Sequence, residues 1–123
     1  MEKEFVPYEQ ALALKELGFD EPCFATIDQI EYVHIKGTKS APRGSMMYDT
    51  INCPIFSQAF RWFREKYGYY IVPQAEIEIN RIEVHFLIIK FGEKKVKTKK
   101  FNTNEQAELE CLKKLIEIVK KNG

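Results

Sequence analysis

Ile82-Glu83-Val84-His85-Phe86-Leu87-Ile88-Ile89-Lys90-Phe91 is the most apolar run in the chain, and its reading decides the fold. Ile82, Val84, Phe86 and Ile88 alternate with His85, Leu87, Ile89 and Phe91, the two-residue period of a strand. Apolar groups face both ways, which places the strand in the middle of its sheet. Downstream, Gly92-Glu93 breaks the run, and Lys94 to Phe101 supplies a hairpin partner studded with Lys94, Lys95, Lys97, Lys99 and Lys100. Upstream, Tyr69-Tyr70-Ile71-Val72 and Glu76-Ile77-Glu78-Ile79 supply a further strand. Pro73 interrupts it and cannot donate to a ladder, so it belongs at an edge or a bulge. Glu76 and Glu78 share one face opposite Ile77 and Ile79, the pattern of a solvated edge.

Helices close this strand group on both sides. In Pro54 to Tyr67, Phe56, Ala59, Phe60, Phe63 and Tyr67 form one stripe of a 3.6-residue helix, Trp62 lies on its flank, and Gly68 stands where a C-terminal glycine belongs. After Phe101, Thr103-Asn104-Glu105-Gln106 has the form of a capping box. Leu109, Leu112, Leu115, Ile116 and Val119 follow as a buried stripe, with glutamates early and lysines late, as the helix dipole favours. Nearer the start, residues 7–17 read as a helix opened by Pro7 and closed by Gly18, with Phe19 packing back on Leu14. Cys23 to Lys36 is weakly strand-like. The stretch 36–53 is a loop by composition, broken by Gly37, Ser40, Pro42, Gly44 and Ser45, and long loops of this kind commonly carry function.

These readings add up to an α+β fold. We expect one domain, 1–123, with an antiparallel sheet of three to five strands and three helices packed mainly on one face. Its parts are an N-terminal helix and strand over 1–35, the 36–53 loop, and a unit in α-β-β-β-α order over 54–123. A chain of 123 residues can bury a core without staples. Its net charge is +1, so any nucleic-acid contact must come from a local patch. The separated cysteines, Cys23, Cys53 and Cys111, include no C-x-x-C and read as free thiols of a reducing cytoplasm, with Cys111 a small buried hydrophobe of the last helix. The first residues lack the pattern of a secretory signal, and no apolar run reaches the ~20 residues of a membrane span.

Catalytic signatures are missing: no phosphate loop, no G-x-G-x-x-G, no G-x-S-x-G, no H-E-x-x-H. The expectation is therefore a chain without catalytic residues, metal ligands or cofactor. The lysine strand is the most specific surface feature. With Lys95, Lys97 and Lys99 on one side, it would form a cationic stripe able to follow phosphates. Lysine on an edge strand also blocks edge-to-edge aggregation without any partner. Within the loop, Arg43, Met46, Met47 and Tyr48 form a candidate partner contact. A pocket protein or small enzyme using His34, His85 or Asp49 is the second reading. A homo-oligomeric assembly protein is the third.

Two resemblances add context. The helix-strand-strand-strand-helix order from Pro54 onward is similar to double-stranded-RNA-binding domains, which grip A-form RNA by shape and phosphate contacts. That family opens its last helix with lysines, where this chain reads Thr103-Asn104-Glu105-Gln106-Ala107-Glu108. The helical phrases 8–19, 58–68 and 105–115 resemble small uncharacterised proteins of bacteriophages and prophages. That resemblance implies a phage accessory protein in the bacterial cytoplasm, acting through a protein or nucleic-acid partner.

Overall fold

The computed structural model describes residues 4–35 and 50–122. The element order is α1 (Tyr8–Glu16), β1 (Ala25–Ile27), β2 (Val33–Ile35), β3 (Ile51–Cys53), α2 (Phe56–Tyr67), β4 (Tyr70–Glu78), β5 (Arg81–Ile89), β6 (Val96–Lys97) and α3 (Asn104–Asn122). The class is α+β, as expected, with the strands shared between two three-stranded antiparallel sheets. The chain divides into two compact units, Met1–Ile55 and Phe56–Gly123. No helix among the described residues is long and apolar enough to cross a membrane.

The first unit holds α1 and the sheet β2-β1-β3. Gly18 takes a left-handed φ of 103° and ends α1. The N–H of Phe19 donates to the Leu14 carbonyl at 2.9 Å and that of Gly18 to Lys15 at 3.0 Å, and both Leu14 and Phe19 are buried. This is the Schellman closure read from the sequence. The part of the 36–53 loop that is described behaves differently from its composition. Ile51–Cys53 pairs with β1 as a strand, because Ile51 and Cys53 bury their side chains beside Ile27 and Ala25. Arg43, Met46, Met47, Tyr48 and Asp49 lie outside the described residues.

The second unit runs α2-β4-β5-β6-α3, with the sheet in the order β4-β5-β6. β5 is the central strand. Both helices pack against the unit's strands, α3 on β5 and α2 on β4. Phe60 of α2 meets Phe86 of β5 with ring centroids 5.9 Å apart, so the helices cover the Phe86–Ile88 face. Phe63, Leu112 and Leu115 are fully buried there, and Trp62 joins the buried side of α2. At the start of α3, the Gln106 N–H donates to Thr103 Oγ1 at 3.3 Å, which satisfies one of the unpaired amides of the first turn.

Candidate functional site

The lysine strand is much shorter than its sequence suggests. Only Val96 and Lys97 pair as a strand with β5. Leu87 faces Lys97 and Val84 faces Phe101, so three steps along β5 match four along the partner, a bulge. Thr98 occupies the bulge. Its N–H donates to the Phe86 carbonyl at 3.0 Å, and its hydroxyl accepts the Phe86 N–H at 2.9 Å. The bulge breaks the alternation expected for Lys95, Lys97 and Lys99. Lys100 comes back to the Lys97 face, and its Nζ lies 2.7 Å from Glu76 Oε2. Lys100 holds the Glu76 carboxyl below its usual range, with a smaller pull from Lys97. An uninterrupted cationic stripe along this edge is therefore not what the chain builds.

Basic residues also gather at the end of the unit where α2 hands over to β4, beside Glu93 and with Lys121 Nζ 3.4 Å from Glu117 Oε1. The last turn of α2 carries Arg64 and Lys66, and the last turn of α3 carries Lys120 and Lys121. Gly68, at φ 78°, turns the chain out of α2 and delivers Tyr69 beneath this end. Asn122 of α3 donates its amide to Tyr69 Oη at 3.4 Å, and Lys90 Nζ sits 4.8 Å from the centre of the Tyr69 ring. Burial pushes the Tyr69 phenol above its ordinary value; the Asn122 bond opposes this and Glu93 adds to it. Tyr69 thus ties together the C-terminal ends of two helices and the β5–β6 turn.

That turn presents the most exposed aromatic ring among the described residues. Glu93 N–H donates to the Lys90 carbonyl at 3.1 Å, and Gly92 has a φ of 83°. A positive φ at the third position of a tight turn needs glycine, and it leaves Phe91 at the second position, pointing outward. Phe91 is 101% exposed. Lys90, Lys94 and Lys95 flank it in the chain, and Tyr70, 57% exposed, lies one strand away opposite Ile89. Lys66 Nζ rests 5.1 Å from the Trp62 ring centre, so its stem covers apolar surface while its charge stays at this end. Sequence reasoning found Lys94 and Lys95 but missed Phe91 as a surface group, because periodicity assigned it to a strand face.

The two histidines lie in separate units and have separate roles. In the first unit, Asp28 is fully buried, and its Oδ1 accepts the N–H groups of Ile30 and Tyr32 at 3.1 Å each. His34 Nε2 lies 3.2 Å from Asp28 Oδ2, and the His34 ring packs on Tyr32 at 4.6 Å. Burial opposes ionisation of Asp28, but the bonds from Tyr32, His34 and Ile30 outweigh it and hold the carboxyl below its ordinary value. These partners make Asp28 the clasp of the β1–β2 turn. In the second unit, His85 Nε2 lies 3.1 Å from Gln74 Oε1, while its Nδ1 is buried without a hydrogen-bond partner among the described residues. No group of three or more His, Cys, Asp or Glu side chains among the described residues is placed to hold a metal ion.

The first unit also has a hollow of about 520 Å³ lined by Ala11, Lys15, Gly18, Phe19, Asp20, Thr50, Ile51 and Asn52. No protein-family model matches the chain, and neither the curated proteins nor the solved structures include a match.

Proposed function

We propose that this protein is a non-catalytic binding module of phage type that holds nucleic acid at the basic end of its second unit. The observation that carries this reading is the fully exposed Phe91, raised on the tight turn Lys90–Glu93 and followed in the chain by Lys94 and Lys95. An ammonium cluster attracts phosphates whatever the base sequence. An exposed ring beside it offers a base a stacking surface worth about 1–3 kcal/mol. The opening of α3, where duplex-RNA-binding domains carry lysine, bears Glu105, Glu108 and Glu110 here, so that end of the unit repels phosphate. A single strand, whose bases are free to stack, suits this site better than a duplex.

The test is binding of labelled single- and double-stranded DNA and RNA across a salt series. Phe91→Ala should weaken single-strand binding by about 1–3 kcal/mol and leave the salt slope unchanged. Lys94→Glu/Lys95→Glu should weaken binding more than Lys97→Glu/Lys99→Glu does. Equal effects of the two pairs would return the site to the whole lysine strand, and wild type at background would end the nucleic-acid reading.

The hollow of the first unit favours a second reading, a small-molecule pocket. Its lining offers Lys15 and Asp20 as the charged groups and Phe19 as the apolar wall. A ligand retained on native purification and lost on Asp20→Ala/Lys15→Ala would support that reading.

A further inference from the structure

β4 is an edge strand of nine residues, Tyr70–Glu78. Its backbone orientation follows from β5. The N–H and C=O of Val84 bond Phe101, and those of Phe86 bond Thr98, so both residues turn their backbone groups away from β4. Ala75 stands opposite Val84 and Pro73 opposite Phe86. In an antiparallel pair, residues opposite such positions also turn their groups away from the shared ladder. Ile71, Pro73, Ala75 and Ile77 therefore direct their backbone groups to the outer edge, and nothing among the described residues pairs with them there. Pro73 has no N–H to lose, which is why the ladder tolerates it. Ile77 beside it on that edge is 84% exposed.

We infer that this edge joins a second copy of the chain, β4 against β4 and antiparallel, about a two-fold axis at Gln74. In that register Ile71 meets Ile77 of the other copy and Pro73 meets its Ala75. The free N–H groups of Ile71, Ala75 and Ile77 then each reach a carbonyl, at Ile77, Pro73 and Ile71 of the other copy. The gap left by Pro73 costs only one acceptor, the Ala75 carbonyl. On the opposite face Gln74 meets its own twin and Val72 meets Glu76. Charge disfavours two of the other registers, and only an axis at Gln74, the middle of the strand, lets all nine residues of β4 pair. An axis at Glu76 would set the two Glu76 carboxylates against each other, and an axis at Ile77 would set Glu76 opposite the glutamate of position 78. Like charges directly opposite destabilise a ladder. An axis at Gln74 avoids both clashes and matches apolar residues with apolar residues along the outward-facing positions.

Analytical ultracentrifugation of the full chain from roughly 1 μM to 1 mM spans the range in which edge-paired dimers form. The expected result is a concentration-dependent dimer, with slower amide exchange at Ala75 and Ile77 as concentration rises. Ala75→Pro/Ile77→Pro removes two edge donors that β5 never uses, a change already tolerated at Pro73, and should leave a folded monomer. Val72→Glu sets a carboxylate against Glu76 of the other copy and should weaken the dimer about tenfold, whereas Val72→Lys should tighten it. A wild type that stays monomeric overturns the inference. So does a dimer indifferent to all three variants, or one in which Val72→Glu and Val72→Lys act alike.

Discussion

Asp28 shows how much one side chain can organise. Its carboxylate receives two backbone N–H groups from the turn it begins and meets His34 of β2. Removing it takes the acceptor from two part-buried N–H groups, those of Ile30 and Tyr32, so Asp28→Ala should cost about 2 kcal/mol of stability by urea denaturation. The acid limb has a definite sign. The folded-state value lies below the ordinary 3.8, so the contribution is complete above pH 3.8 and is lost as pH falls below it. The stability gap between wild type and Asp28→Asn should therefore narrow only in strong acid. A gap that closes near neutral pH would assign the effect to another group. The cysteines behave as apolar fillers. Burial pushes Cys53 up to about 12, with a further push from Cys23 and Glu31, and burial does the same to Cys111. Thiolate is the reactive form, so a thiol reagent at neutral pH should label neither residue until the protein is unfolded.

At the scale of elements, the helices owe their positions to apolar stripes and their ends to local chemistry. α1 has no side-chain cap at Pro7, and the Tyr8 N–H instead donates to the Glu31 carboxylate at 3.1 and 3.2 Å. Glu31 holds a left-handed φ of 67°, a conformation a glutamate enters at a cost of roughly 1–2 kcal/mol. The helix N-terminus is what this conformation reaches, and a carboxylate is favoured there. α2 contributes the largest core side chain with no exposure, Phe63. Phe63→Ala should destabilise the protein by about 3–5 kcal/mol, a large share of the roughly 5–15 kcal/mol that holds a domain together. A loss under about 1 kcal/mol by calorimetry would mean that the helix–sheet core repacks freely around the gap.

At the scale of the whole molecule, the net charge of +1 conceals an uneven distribution within the second unit. One end gathers the late lysines of α2 and α3 with Lys90, Lys94 and Lys95, and the other carries the early glutamates of α3. Nucleic-acid binding at the basic end should be strongly salt-dependent. Each phosphate contact adds about −0.7 to the slope of log affinity against log salt for a single strand. Lys94→Ala/Lys95→Ala should therefore flatten that slope by about 1.4. An unchanged slope would show that these two lysines make no phosphate contacts.

Local physics made much of the molecule legible in the sequence alone. Stripe spacing placed α2 and α3, Gly18 and Gly68 marked helix ends, Thr103 marked a start, and the two-sided apolar run of 82–91 identified the central strand. Pro73 confined its strand to an edge or a bulge, because a missing N–H is tolerated only where no neighbour needs it, and β4 is an edge. Each of these depends on residues within a turn or two of one another. Only the tertiary structure decided which distant segments became neighbours. Ile51–Cys53 turned from loop into strand because β1 offered it a ladder, and the strands fell into two sheets instead of one. The bulge at Thr98 gave Lys100, and not Lys99, to Glu76. At the basic end Tyr69 and Asn122, 53 positions apart, meet by hydrogen bond. Periodicity along a chain carries no record of such meetings, since they are set by packing between elements and not by spacing within them.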